Sequence, residues 1–131
     1  MELDHLGVAV ASLPAALPRW RGLLAPPEGP PEEVPTQGVR VAFLASGPVD
    51  VELLEPTRPD SAVARFLAKR GEGLHHIAFR VPSVDAALAD LVGRGEAVVD
   101  RVGRPGARGR RVGFAHPSAF GGVLVEFVER P

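Results

Sequence analysis

Two histidines and two glutamates stand at matching positions in two copies of one sequence pattern. His5 and His76 each open a run in which alternate residues are apolar, which is the period of a half-buried strand. These runs start 71 residues apart, and the spacing grows to 74 residues between Glu52 and Glu126. Imidazole and carboxylate groups bind divalent transition metals. Two copies that bring these four side chains together would form a metal site.

The repeat continues in the strands that follow. Arg40-Val41-Ala42-Phe43 matches Arg111-Val112-Gly113-Phe114 at the 71-residue spacing, and the later step to 74 indicates a hairpin that is three residues longer. A repeat of this size predicts two copies of one supersecondary unit rather than a solenoid, whose repeats are shorter. Each copy follows the order β-α-β-β, with a weak third strand expected in each half.

Glu52 and Glu126 each interrupt a strongly apolar strand. Taken singly, either is ordinarily explained as a Glu that faces solvent from the exposed side of a sheet. A buried carboxylate needs a partner or a metal ion, and the imidazoles at matching positions supply partners. The register match therefore favours a joint metal site of His5, Glu52, His76 and Glu126.

Two other histidines and a basic loop are assigned elsewhere. His75 precedes His76, and adjacent strand residues point to opposite faces, so His75 is expected on the face away from the site. His116 lies in a predicted hairpin connection and is expected outside the metal shell. The basic loop is either solvated or attracts an anion such as a phosphate-bearing cofactor arm; its cations are Arg101, Arg104, Arg108, Arg110 and Arg111.

The composition limits the class of protein. The 131 residues, of which 45% are hydrophobic, suit one domain or two small modules that share a core. A net charge of −1 gives no reason to expect a nucleic-acid partner, and the absence of Cys excludes thiolate ligands. The chain starts without a signal-peptide pattern, and no apolar run reaches the roughly 20 residues of a membrane span. We therefore expect a soluble, cytoplasmic protein.

The expected organisation is one domain made of a first module at 1–56, a linker helix at 57–72 and a second module at 73–131. Strands are expected near 3–10, 38–45, 49–54, 75–81, 97–101, 110–115 and 122–128. Ser12 is a candidate cap for the first helix, but its start is predicted near Leu17, because Pro18 is unfavourable inside a helix. The Pro-rich stretch 25–35 is predicted to be a surface loop without regular hydrogen bonding. Asp60 or Ser61 is expected to cap the linker helix and Ser83 the last one.

The chain resembles the vicinal oxygen chelate superfamily, and within it the methylmalonyl-CoA epimerases. The resemblance covers nearly the whole chain and is carried by residues 3–10, 51–56, 73–79 and 121–126, with a linker at 60–67 that is similar to the epimerase pattern. It implies an α+β fold in which two paired βαβββ modules form a cupped mixed sheet around a metal site. Metal ligands of the family fall on His5, His76 and Glu126, with Glu52 at the fourth position.

The activity that this resemblance implies is a metal-dependent interconversion of the C2 epimers of methylmalonyl-CoA through an enolate. Glu52 and Glu126 are the candidate catalytic bases, and the sequence leaves open which is a base and which only a ligand. Some epimerases carry a Glu where this chain has Val41, so the second base is also open. The implied cofactor is a divalent ion such as Co²⁺, Mn²⁺, Ni²⁺ or Zn²⁺, and the implied assembly is a homodimer.

Three alternatives share this superfamily. A glyoxalase I-type lyase would apply similar proton chemistry to a glutathione hemithioacetal. A non-catalytic small-molecule-binding module of the drug-resistance type would need a hydrophobic or aromatic-lined cavity, and the absence of Tyr and the single Trp argue against it. An extradiol dioxygenase needs Fe(II) held by two His and one carboxylate, which the fourth acidic position, Glu52, disfavours.

Overall fold

The computed structural model describes residues 1–130 and divides the chain into two compact units. The first unit is His5–His75, and the second unit consists of Met1–Asp4 with the residues from His76 onward. The division falls inside two strands, β1 (Glu2–Ala9) and β5 (Gly73–Val81). Within residues 1–130, no helix combines the length and the apolar character that a membrane crossing requires.

In the first unit, one face of a four-stranded sheet is covered by a helix. Strand β1 is followed by α1 (Leu13–Arg21), β2 (Glu32–Val34), β3 (Val39–Ser46), β4 (Val49–Pro56) and α2 (Ala62–Arg70). The strand order is β2-β3-β4-β1, with β1 parallel to β4 and the other neighbours antiparallel. Apolar side chains at alternate strand positions pack against α1, and this core includes Val10, Leu13, Leu44, Leu53 and Trp20.

The second unit repeats this topology. Strand β5 is followed by α3 (Val84–Gly93), β6 (Arg104–Pro105), β7 (Arg111–Phe114) and β8 (Val125–Glu129). The order is β5-β8-β7-β6, with β5 parallel to β8 and the other neighbours antiparallel. Its core places α3 against the sheet through Val81, Val84, Leu88, Leu91 and Phe127.

The N-termini of α1 and α3 make equivalent hydrogen bonds. Ser12 accepts a hydrogen bond from the Ala15 N–H, and Ser83 accepts one from the Ala86 N–H. In each helix, a Glu from the last strand of the unit accepts a hydrogen bond from one further backbone N–H of the first turn. The Leu13 N–H donates to Glu55 at 2.7 Å, and the Val84 N–H donates to Glu129 at 2.8 Å. Each helix start therefore has the same two contacts, and the Glu contact joins the helix to its sheet.

The predicted start of the first helix near Leu17 is wrong, because α1 begins at Leu13. Pro14 lies in the first turn, where no helical donor is needed, and Pro18 is tolerated inside the helix. Leu13 and Ala16 are buried against the sheet, and Ser12 caps the helix. Tertiary packing supplies most of the stability of a short helix, so it outweighs the unfavourable proline.

Two strand predictions also need correction. The prediction of no regular hydrogen bonding at 25–35 is wrong at β2, which pairs with β3. β2 is an edge strand, and the prolines that flank it lie at its ends, where an edge strand accommodates them. The predicted strand at 97–101 is wrong: this stretch forms an isolated bridge between Val98 and Ala115, with backbone hydrogen bonds to Phe114 and His116. The short strand of this segment is β6.

The three additional residues of the second copy lie between β7 and β8. The shorter hairpin between β3 and β4 turns at Gly47, whose φ is 64°. The longer connection contains a 3-10 turn at Pro117–Phe120, followed by Gly121 with the same φ of 64°. A positive φ is accessible to Gly without the steric cost of a side chain. The longer hairpin predicted from the change in spacing is confirmed.

Candidate functional site

In the first unit, His5 and Glu52 form a buried pair on neighbouring parallel strands. The two side chains leave β1 and β4, with Gly7 in register with Glu52. His5 Nε2 lies 3.3 Å from Glu52 Oε1, and the two residues are only 4% and 5% exposed. Phe43, in register with Glu52 on β3, packs edge-on against the imidazole with ring centroids 5.7 Å apart.

The second unit contains the same arrangement around His76 and Glu126. His76 Nε2 lies 3.3 Å from Glu126 Oε1, and the two residues are 2% and 3% exposed. Ala78 is in register with Glu126 on β5, as Gly7 is with Glu52. Phe114 is in register with Glu126 on β7, and its ring lies edge-on to His76 at 5.5 Å. Each unit therefore presents one imidazole, one carboxylate and one aromatic ring in equivalent positions.

Burial of both glutamates removes the ordinary explanation of a Glu that faces solvent. A carboxylate inside a sheet core is stable only with a hydrogen-bonded or charged partner, or with a metal ion. The edge-on phenylalanine restrains the plane of each imidazole, so that Nε2 faces the carboxylate.

The donor atoms of each pair fit a transition-metal ion. Neutral imidazole nitrogen and carboxylate oxygen are the ligands that such ions accept in the absence of thiolate. Two ligands that bind one ion at about 2.0–2.2 Å lie on the order of 3 Å apart, and the pairs are separated by 3.3 Å. Each pair can therefore supply two neighbouring ligands to one ion.

The remaining histidines have local contacts. His75 packs edge-on against Phe66 of α2, with ring centroids 5.0 Å apart, as expected for the face away from its neighbour His76. His116 is exposed, and its Nδ1 accepts a hydrogen bond from the Ser118 N–H at the start of the 3-10 turn. Neither belongs to the His–Glu pairs.

Sequence reasoning missed a buried charge cluster in the second unit. Asp4 is fully buried, and three guanidinium groups contact its carboxylate. Arg130 Nη2 lies 2.6 Å from Oδ1, Arg80 Nε lies 3.0 Å from Oδ1, and Arg110 Nη1 lies 3.4 Å from Oδ2. The hydrogen bond with Asp4 raises the pKa of Arg80 above its ordinary value. A charged residue within the first strand was the available signal, but its partners are distant in sequence.

Comparison with known proteins places the chain in a family. The pattern of the Glyoxalase/Bleomycin resistance protein/Dioxygenase superfamily matches residues 4–114. An ethylmalonyl-CoA/methylmalonyl-CoA epimerase of Cereibacter sphaeroides is 39% identical over 128 residues, which cover 95% of this chain and 95% of that protein.

Two solved structures are similar over almost the whole chain. Methylmalonyl-CoA epimerase from Mycobacterium tuberculosis is 37% identical with a TM-score of 0.90, covering 98% of this chain and 87% of that one. A methylmalonyl-CoA epimerase in complex with methylmalonyl-CoA and NH4⁺ is 42% identical with a TM-score of 0.88, covering 97% and 92%. The predicted fold class of two βαβββ modules is thereby confirmed. The chain belongs to the Glyoxalase/Bleomycin resistance protein/Dioxygenase superfamily, in the group that contains the methylmalonyl-CoA epimerases.

Proposed function

We propose that this chain is a metal-dependent isomerase that interconverts the C2 epimers of methylmalonyl-CoA. The observation that carries the proposal is the buried His–Glu pair that occurs in equivalent positions in both units. The proposal treats His5, Glu52, His76 and Glu126 as one donor group that could hold a single metal ion. Relatives of similar length that are named as epimerases support this activity.

The proposed chemistry begins with the proton on C2, which lies between a thioester and a carboxylate. Removing it leaves an enolate, whose negative charge must be stabilised where it develops. A bound divalent ion would supply that stabilisation as a Lewis acid. Inversion of C2 requires one group that takes the proton from one face and one that returns a proton to the other.

Glu52 and Glu126 are the proposed proton-transfer groups. Each carboxylate is buried beside an imidazole of the neighbouring strand. A positioned general base contributes about 10²–10⁴-fold to the rate. A carboxylate that donates strongly to a metal is a weaker base, so we propose that one of the two is chiefly a ligand. Val41 carries no ionisable group and cannot replace either of them.

The epimerase is favoured over the other activities of this superfamily. A solved relative that is 42% identical holds methylmalonyl-CoA, which supports an acyl-CoA substrate rather than a glutathione hemithioacetal. A non-catalytic drug-binding module has no need of two buried His–Glu pairs. The ion identity (Co²⁺, Mn²⁺, Ni²⁺ or Zn²⁺), the homodimer, the cytoplasmic location and the module boundaries at 56 and 73 stay predictions.

Proton exchange in D₂O tests this function. Metal-reconstituted protein is mixed with methylmalonyl-CoA, and loss of the C2 proton signal is followed by NMR. We expect rapid exchange by the native chain and none by Glu126→Ala, with Glu96→Ala, an exposed residue, as the matched control. Absence of exchange together with turnover of a glutathione hemithioacetal would assign the chain to the glyoxalase activity instead.

A further inference from the structure

Two adjacent glutamates of the edge strand β2 lie on opposite faces of the sheet in the first unit. Glu32 is in register with Val41 of β3. Glu33 is in register with Arg40, which binds it at 3.0 Å. Arg40 also binds Glu55 at 3.1 Å, and Glu55 accepts the first backbone N–H of α1. Glu33 therefore lies on the face that α1 covers, and Glu32 lies on the other face.

The face of Glu32 is the face that carries the His5–Glu52 pair. Directly opposed residues of neighbouring strands share a face, and so do alternate residues of one strand. Glu32 therefore shares its face with Val41 and with Phe43. Phe43 is in register with Glu52 and packs edge-on against His5. Two strand spacings and two residues along β3 put the Cα atoms of Glu32 and Glu52 about 12 Å apart, which leaves room for a substrate between the two carboxylates.

The matching position of the second unit shows how far a side chain reaches from this register. Arg104 of β6 is in register with Val112 of β7, and Phe114 is the next residue of β7 on that face. The guanidinium carbon of Arg104 lies 5.7 Å from the ring centroid of Phe114, whose ring is edge-on to His76. A long side chain here therefore reaches the ring that packs against the imidazole. An Arg stays protonated in proteins, so of the two matched positions only Glu32 can take up and release a proton.

We propose that Glu32 is the second proton-transfer group, an inference that rests on the proposed function. Because one of Glu52 and Glu126 is chiefly a ligand in that proposal, inversion needs a further group on the other face of the enolate. The first base takes the proton as the C2–H bond breaks, and the electron pair stays in the enolate. Protonated Glu32 then gives its proton to form the new C2–H bond on the opposite face. Glu32 is exposed, so it regains a proton from water, while the first base releases its own.

Proton exchange and inversion are measured separately to test this role. Glu32→Gln keeps the shape of the side chain and removes the carboxylate at an exposed position. Glu33→Gln, on the other face of the same strand, is the matched control. Each C2 epimer of methylmalonyl-CoA is supplied separately in D₂O to the metal-reconstituted protein. NMR follows the C2 proton, ellipticity follows inversion, and calorimetric titration with Co²⁺ follows metal binding.

We expect Glu32→Gln to invert C2 about 10²–10⁴-fold more slowly than the native chain and to bind Co²⁺ as tightly. One epimer should still exchange its C2 proton for deuterium with retention of configuration, because its own base takes and returns the proton on one face. The other epimer should lose exchange, because Glu32 is the base for that face. Glu33→Gln should behave as the native chain.

Three results would overturn the role of Glu32 while turnover by the native chain keeps the epimerase. These are inversion by Glu32→Gln at the native rate, loss of exchange from both epimers, and weaker Co²⁺ binding by Glu32→Gln. A native chain that neither exchanges nor inverts C2 would reject the epimerase itself, and the role of Glu32 with it.

Discussion

The carboxylates of Glu52 and Glu126 have the same surroundings in their own units, but they need not have the same role. Each lies 3.3 Å from an imidazole Nε2 and in register with a phenylalanine. A base must release and accept a proton in each turnover, whereas a ligand must stay ionised. Substitutions that keep the shape and remove the charge can separate these roles.

Glu52→Gln and Glu126→Gln are therefore expected to differ. The variant that has lost the base should keep its metal and lose C2 proton exchange by about 10²–10⁴-fold. The variant that has lost a ligand should lose metal affinity first, because an amide oxygen is a weaker donor than a carboxylate. Metal content and deuterium exchange are measured on the same samples. Full metal and full exchange in both variants would reject both assignments.

The His–Glu pairs could be predicted from the sequence because a repeat makes a weak local signal visible twice. The strand period placed His5 and His76 at the same position in each copy. Alignment of the two copies then placed Glu52 opposite Glu126. The Asp4 cluster could not be predicted in this way. Its arginines come from three separate segments of the chain, and no local periodicity records which side chains meet across a sheet.

At the scale of elements, the N-termini of α1 and α3 have equivalent contacts, and substitutions can test this equivalence. Ser12→Ala and Ser83→Ala each remove a side-chain acceptor at an N-cap, which costs about 1 kcal/mol of unfolding free energy. Urea denaturation of both variants should show losses of similar size. Ser46→Ala, at the exposed end of β3, is the control and should change little. A loss in only one helix variant would contradict the equivalence.

The start of α3 also predicts a dependence on pH. Hydrogen bonds from the Gly103 N–H and then from Arg111 hold the pKa of Asp85 below its ordinary value of 3.8. A lowered pKa in the folded state stabilises the fold above pH 3.8, and this contribution is lost as the pH falls through the folded-state pKa. Urea midpoints between pH 2 and 6 should therefore fall less steeply for Asp85→Asn than for the native chain. Equal slopes would mean that the contacts of Asp85 add no acid-sensitive stability.

Two of the element predictions that failed have a common physical cause. Pro18 inside α1 and the strand β2 in the Pro-rich stretch both go against local preference. In each case the surroundings decide: the buried face of α1 lies on the sheet, and β2 gains a partner in β3. The local sequence shows that a proline disfavours a helix or a strand, but the contacts that compensate come from residues elsewhere in the chain.

At the scale of the whole molecule, the proposed site consists of two His–Glu pairs, each of which supplies one imidazole and one carboxylate. Two ligands rarely hold a transition metal tightly, since structural and catalytic sites use three or four protein ligands. The proposed activity therefore depends on both units contributing to one ion. Metal binding should also stabilise the fold by about 2.7 kcal/mol when the free ion is at 100 times its Kd.

The stoichiometry of metal binding tests this dependence most directly. Calorimetric titration of the metal-free chain with Co²⁺ should show one ion per chain. His5→Ala and His76→Ala should each weaken binding by more than the roughly 10–100-fold that follows loss of an outer partner of a ligand. Two ions per chain, or one variant that binds Co²⁺ as tightly as the native protein, would contradict a single site built from both His–Glu pairs.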